Sequence, residues 1–188
     1  MSIEVRPATP DRWADVAAVF AGRRGRDACW CQRFRRHDAA DNQSALRLEI
    51  DTSPVPIGLV AYEDEQPAGW TRVVPRHTLP GVVENAALRR LFANDSRADA
   101  SAWWVSCVVV LRGHRGHGVG VALLRAAIDH AQGRGAGVLD GHPVDVARLS
   151  DRPAPSALFT GTRSMFVAAG FDEIARTYPS RPVMRKVL

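Results

Sequence analysis

The chain has 188 residues, 46% apolar and 24% charged, a balance that suits one globular domain over 1–188 and excludes disordered, collagen-like and disulfide-stapled classes. Its 25 Lys+Arg against 20 Asp+Glu leave a formal charge of +5, nearly all of the positive charge being Arg; this favours acidic ligands, but no run of like charges marks a nucleic-acid-binding arm. Three cysteines, Cys29, Cys31 and Cys107, are an odd number, and with no signal-type leader and no apolar run of about 18 residues the expectation is a soluble, cytoplasmic protein without membrane contact.

The first elements follow from hydrophobic period. Ile3 to Arg6 alternates as a strand, and Asp11 opens a helix through Phe20 with Trp13, Val16, Ala17 and Phe20 on one face. Gly22 to His37 is Arg-rich and Gly-broken, hence irregular, and carries Cys29-Trp30-Cys31. A second helix is predicted from Asp41 to Ile50, closed by Pro54 and Pro56. Ile57 to Tyr62 and Ala68 to Val74 read as a hairpin across an acidic turn.

From Pro75 to Ala100 the pattern predicts a loop at Arg76 to Gly81 and a short helix over Val83 to Phe92, in a segment suited to a lid or a substrate-facing insertion. Ser101 to Leu111 is dense in β-branched and aromatic residues, as a strand buried on both faces must be. After it come a helix from Val119 to Arg134, with Leu124, Ala127, Ile128 and Ala131 along one stripe, and a strand over Val138 to Val146 interrupted by Pro143. A loop at Asp151 to Pro155, a short helix over Thr162 to Ala169 and strands at Phe171 to Thr177 and Pro182 to Leu188 complete a mixed α/β order.

Between the apolar strand and the helix stands Arg115-Gly116-His117-Gly118-Val119-Gly120. Alternate glycines let main chain approach a ligand closely, and a helix N-terminus supplies unpaired N–H groups and a positive dipole end, so the stretch suits an anion. Spacing excludes two rivals. A P-loop needs Lys-Ser or Lys-Thr where Val119-Gly120 stands, and the dinucleotide fingerprint G-x-G-x-x-G fails because these glycines are spaced by twos. A tight strand-to-helix turn without a ligand stays open on this stretch taken alone.

The pattern Arg-x-x-Gly-x-Gly at Arg115, Gly118 and Gly120 resembles motif A of the GNAT superfamily of acyl-CoA-dependent N-acetyltransferases. Gly161 to Phe171, with Gly-Phe after a short helix, resembles that family's late motif. The resemblance implies a mixed α/β fold with a central, mostly antiparallel twisted sheet, splayed at the acetyl-CoA site and flanked by helices on both faces. It implies acetyl-CoA as co-substrate, its pantetheine arm meeting Val108, Val109 and Val110. The pyrophosphate would lie on Arg115, Gly116, His117, Gly118, Val119 and Gly120, and Phe166 would stand where many members carry a tyrosine acid.

An ammonium acceptor must lose a proton before it attacks a thioester. The central strand holds no acid, so the candidate bases are Asp145, His142 and Glu84, with Ser164 a candidate proton donor in place of the tyrosine. Each of the three candidate bases has a structural alternative: a strand-end turn former, a surface or core histidine, a helix-start acid. Cys107 reads as a buried core thiol. Cys29 and Cys31, even with His37, fall short of four ligands, so no metal is expected; the resemblance places their loop beside the acceptor pocket. Trp70, Trp103 and Trp104 could line that pocket or fill the core, and Arg112, Arg125 and Arg163 could reach the phosphates or only solvent.

The activity implied is direct transfer of acetyl to a primary amine, on a small molecule or a protein, in a ternary complex. The alternative is a catalytically silent acyl-CoA-binding sensor. Homodimerisation is compatible with either; nucleic acid has no motif in its favour.

Overall fold

The computed structural model describes residues 2–21, 30–93, 99–151, 153 and 155–188. Seven strands form one sheet in the order β1-β2-β3-β4-β5-β7-β6: β1 Ile3–Pro7, β2 Gly58–Glu63, β3 Gln66–Pro75, β4 Ala102–Val110, β5 Val138–Gly141, β6 Asp172–Tyr178 and β7 Arg181–Val187. Every neighbouring pair is antiparallel except β4 with β5. The parallel pair needs a crossover, which α5 (Val119–Gln132) supplies.

Helices cover both faces, as the mixed α/β expectation required. On one face α1 (Trp13–Phe20) and α2 (Asn42–Thr52) bury Val16, Phe20 and Leu46 against Trp70, Trp104 and Val109. On the other, α5 and α6 (Arg163–Ala168) bury Leu123, Leu124, Ala127 and Phe166 against Trp103, Val105 and Leu139. Side chains alternate along a strand, so the tandem Trp103-Trp104 serves one core each. Each tryptophan buries roughly 150–250 Å², which is why β4 holds the centre of the sheet.

Several element boundaries differ from the sequence expectation for local reasons. Pro10–Arg12 is a 3-10 turn, and the α-helix begins only at Trp13. Asp41 caps α2 by accepting from the Ser44 amide at 2.7 Å, so the acid lies just outside the helix. Asp64 and Glu65, with φ of +46° and +65°, make the tight two-residue turn joining β2 to β3, so β3 starts at Gln66.

The expected helix over Val83 to Phe92 is two pieces, α3 (Pro80–Val83) and α4 (Ala86–Leu91), because Asn85 turns its side chain onto the Ala87 and Leu88 amides and starts a new helix. The strand expected to reach Val146 stops at Gly141. Pro143 lacks the N–H a ladder requires.

Candidate active site

Strands β4 and β5 stay together only over Ala102 to Val105, paired with Val138 to Gly141. Past that point β4 continues for five residues with no β5 partner. A bulge marks the change: Arg72 faces Cys107 and Val73 faces Val105, leaving Ser106 as the extra residue. The separated strands are stitched by the segment after the last loop, through isolated bridges Val108↔Thr160 and Val144↔Thr162. The Val108 amide donates to the Phe159 carbonyl at 2.7 Å.

Leu111 donates to Ala68 on the β3 side, and alternation then aims the amides of Val108 and Val110 to the split. A cleft of about 380 Å³ opens there, lined by Val108 to Val110, the loop through Gly120, Phe159, Thr162 and Met165.

The loop's glycines do different work. Gly116 and Gly118 have φ of +85° and +92°, a region costly for residues with a Cβ. A Cβ on Gly116 would meet nothing, and one on Gly118 only the Ile3 side chain at 3.9 Å, so backbone conformation alone requires glycine at both. Gly118 is the N-cap of α5, and the first intrahelical bond runs from the Ala122 amide to its carbonyl. The amides of Val119, Gly120 and Val121 therefore have no partner within the helix, and no acid sits in its first turn.

Gly120 has helical φ. A Cβ there would come within 2.9 Å of the Met165 sulfur, so its smallness lets α6 pack beside the mouth of the cleft.

Two of the loop's polar side chains turn away from the helix end. His117 and His114 both meet Glu63 at the end of β2, at 2.8 and 2.5 Å. The hydrogen bond from His114 leads, and that from His117 assists, in holding the Glu63 carboxyl below the usual carboxylate range against the opposing effect of burial. Arg115 folds back to donate Nε to the Val110 carbonyl at 3.2 Å. The loop is thus tied to β2 and β4 at three points.

The expected catalytic residues are scattered. Phe166 is not offered to the cleft: its ring is fully buried, packed edge-on to Phe171 at 4.9 Å and filling the space over Gly141, where a Cβ would lie 2.3 Å from it. The preceding residue, Met165, lines the cleft instead. Ser164 is exposed and shares a 3.0 Å hydrogen bond with Thr162, whose residue does line the cleft. Asp145 pairs with Arg176 at 2.8 Å, and Glu84 is an exposed partner of Arg36 beyond α3.

His142 stands just past the end of β5, at the split, hydrogen-bonded to Thr177 Oγ1 at 2.7 Å. Burial first, and then the neighbouring charge of Arg181, pull its pKa down to about 4.

The Cys-Trp-Cys loop is structural where it is described; Cys29 lies outside the described residues. Cys31, at φ +55°, accepts a hydrogen bond from the Trp70 indole on its sulfur at 2.8 Å, and its carbonyl accepts from Arg72 at 2.9 Å. Glu49 pairs with buried Arg72 and, at 3.1 Å, with Arg35. Trp30 stacks on Phe20 at 5.0 Å. No group of three or more metal-ligating side chains occurs among the described residues, and among them no helix is long and apolar enough to cross a membrane. Phe159, Thr162 and Met165 were not legible as cleft residues, because they meet β4 only through the stitch between separated strands.

A seven-stranded sheet split between its parallel pair, with a helix N-terminus at the mouth of the split, is the mixed α/β architecture that the resemblance to the GNAT superfamily implies. The sequence model of the acetyltransferase (GNAT) family matches residues 24–146. The chain belongs to that family, and it is a GNAT-type N-acetyltransferase that draws on a coenzyme A thioester. Among solved structures, the GNAT domain of S. lividans PAT is 16% identical with a TM-score of 0.61, over 99% of this chain and 90% of that one. The ribosomal-protein-alanine N-acetyltransferase of Brucella melitensis is 19% identical with a TM-score of 0.55, over 98% and 99%. Neisseria gonorrhoeae N-acetylglutamate synthase, complexed with coenzyme A and L-arginine, is 14% identical with a TM-score of 0.54; this chain covers 33% of its length. At these identities the likeness is one of fold. No curated protein is significantly similar in sequence.

Proposed function

We propose that this protein, acting as one domain, transfers acetyl from acetyl-CoA to a primary amine by direct attack in a ternary complex. The observation that carries the reading is the cleft itself, where the Val110 amide aimed to the split and the amides of Val119, Gly120 and Val121, which have no partner within the helix, converge. The pyrophosphate takes the helix end, with Gly116 and Gly118 keeping the approach open. The pantetheine arm runs along Val110, since the Val108 amide already donates to Phe159.

The lone pair of the free amine attacks the thioester carbonyl carbon and forms the C–N bond; the tetrahedral intermediate then collapses with cleavage of the C–S bond, and the proton that the new amide nitrogen sheds ends on the departing thiolate. Proximity and main-chain donors supply the rate. A thiol of pKa ~8.5 leaves without a dedicated acid.

His142 is a weak base for this purpose, with a pKa of about 4 against an amine of roughly 10. Deprotonation therefore falls to solvent, and the enzyme acts on the free amine. The rate should rise with pH up to the acceptor's own pKa, with no inflection near 6.5, in wild type and in His142→Gln alike. An inflection in the wild type that His142→Gln removes would assign the base to His142.

A silent acyl-CoA sensor is the second reading, favoured by a lining that holds no carboxylate or tyrosine among the described residues. Thiol release from acetyl-CoA across a panel of amines separates the two. Release with at least one amine supports transfer, whereas binding of acetyl-CoA without release on any acceptor supports the sensor.

A further inference from the structure

Arginines withdrawn from solvent in this protein are matched with carboxylates almost throughout. Buried Arg72 has Glu49, and buried Arg76 has Asp140. Half-buried Arg6, Arg12, Arg35 and Arg47 have Glu4, Asp11, Glu49 and Asp51, while Arg163, Arg176 and Arg185 have Glu173, Asp145 and Asp140. Half-buried Arg181 is the exception: among the described residues it has no carboxylate, and its side chain donates only to the Thr160 hydroxyl, at 3.2 Å.

Its electrostatic neighbour is a second cation. Arg33, which also has no carboxylate partner among the described residues, lies over the Phe159 ring at 5.5 Å. Burial first and then the Arg33 charge push the Arg181 pKa down. Two cations set on adjacent residues, Arg33 on Phe159 and Arg181 on Thr160, with no carboxylate partner among the described residues, disfavour each other, and an arginine fork suits planar oxyanions. The pair flanks the segment 159–160, which crosses β4 at the split, and neutral His142 stands beside it. Phe34, at 6.1 Å from Phe159, supplies an apolar wall.

We propose that the amine acceptor carries an anionic oxygen group, a carboxylate or a phosphate, which Arg33 and Arg181 bind at the acceptor side of the split. The proposal deepens the acetyltransferase reading and rests on it for the word acceptor. The anion site itself rests on the unmatched arginines. Bound there, an acidic group replaces the missing counter-ion and leaves the amine end free to turn toward β4. The substrate class is then a small amino acid-like or phosphorylated amine rather than a polycation or an alkylamine.

The test is calorimetric titration of the coenzyme A-saturated protein with three product-like probes, N-acetyl-β-alanine, its neutral amide, and N-acetyl-O-phosphoethanolamine. At least one anionic probe is expected to bind about tenfold or more tighter than the amide, and which one does so identifies the group. Arg33→Gln, on an exposed loop position, and Arg181→Gln should each bring that probe to the affinity of the amide; Arg181→Lys should keep part of the preference. Equal affinity of all three probes in wild type, or a preference that survives in the double variant R33Q/R181Q, overturns the proposal. Thiol release with the parent amines is followed alongside. Its absence for every amine, with the binding preference intact, counts against acetyl transfer to amines and leaves the anion site standing.

Discussion

Gly118 and Gly120 stand two residues apart in one loop and are glycine for unrelated reasons, and the difference is measurable. Gly118→Ala places a Cβ at φ +92° and should cost about 1–2 kcal/mol, read as a lower melting temperature together with weaker coenzyme A binding. Gly120→Ala sets a Cβ 2.9 Å from the Met165 sulfur. Its cost should shrink in a Met165→Ala background, giving a coupling of about 0.5–3 kcal/mol in a double-mutant cycle; strict additivity would contradict the packing account. The spacing of the three glycines was legible in the sequence. Their separate tasks were not, because a positive φ and a helix–helix contact leave the same letter.

His130 provides a second test at this scale. Burial first, and then Arg134, lower its pKa to about 4, while its Nε2 meets the Pro56 carbonyl at 3.0 Å. A folded-state pKa below the unfolded value of ~6.5 means that the unfolded chain takes up the proton first. Stability from this group is therefore complete above ~6.5, falls as pH drops toward 4, and changes no further below that. His142 acts in the same direction. Melting temperatures of wild type and His130→Gln between pH 7.5 and 4 should show a shallower decline in the variant, and parallel curves would contradict it.

At the scale of elements, the β4–β5 pair explains both what was readable and what was not. The apolar density of Ser101 to Leu111 marked a doubly buried strand, and β4 occupies nearly that span. Pro143 marked an interruption, and β5 ends two residues before it. Neither signal shows that segment 159–162 returns to bridge the gap, since contacts that distant in sequence leave no local period. The ring of Phe166 is in the core while its neighbour Met165 lines the cleft; successive helix positions differ by only about 100°, so the short period of α6 did not show which of the two faces the split.

The same pair carries a buried charge. Asp140 on β5 is fully buried and accepts from Nε and Nη2 of Arg185, at 2.7 and 2.8 Å, with Arg76 Nη1 at 3.6 Å. Asp140→Asn removes the buried charge that both guanidiniums meet on β5 and should destabilise by about 3–5 kcal/mol, measured by urea unfolding. A loss below about 1 kcal/mol would show that the cluster is hydrated and weak.

For the whole molecule, the sheet divides the labour. α5 and α6 cover one face and carry the glycine loop and the cleft; Arg181 and His142 stand at the β7 and β5 ends, held by Thr160 and Thr177. The glycine loop and the helix that it opens were legible because helix N-termini and glycine turns are local features. The acceptor half was not, because Arg33, Phe159 and Arg181 are brought together from three distant segments.

The central claim, that the split holds an acyl-coenzyme A, is tested most directly by melting the protein with and without acetyl-CoA. A ligand specific for the native state adds about 2.7 kcal/mol at a hundredfold excess over its Kd, which for a domain of this size corresponds to a rise of roughly 5–10 °C. The account predicts that rise in wild type and a smaller one in Gly118→Ala. No rise at saturating acetyl-CoA would contradict it.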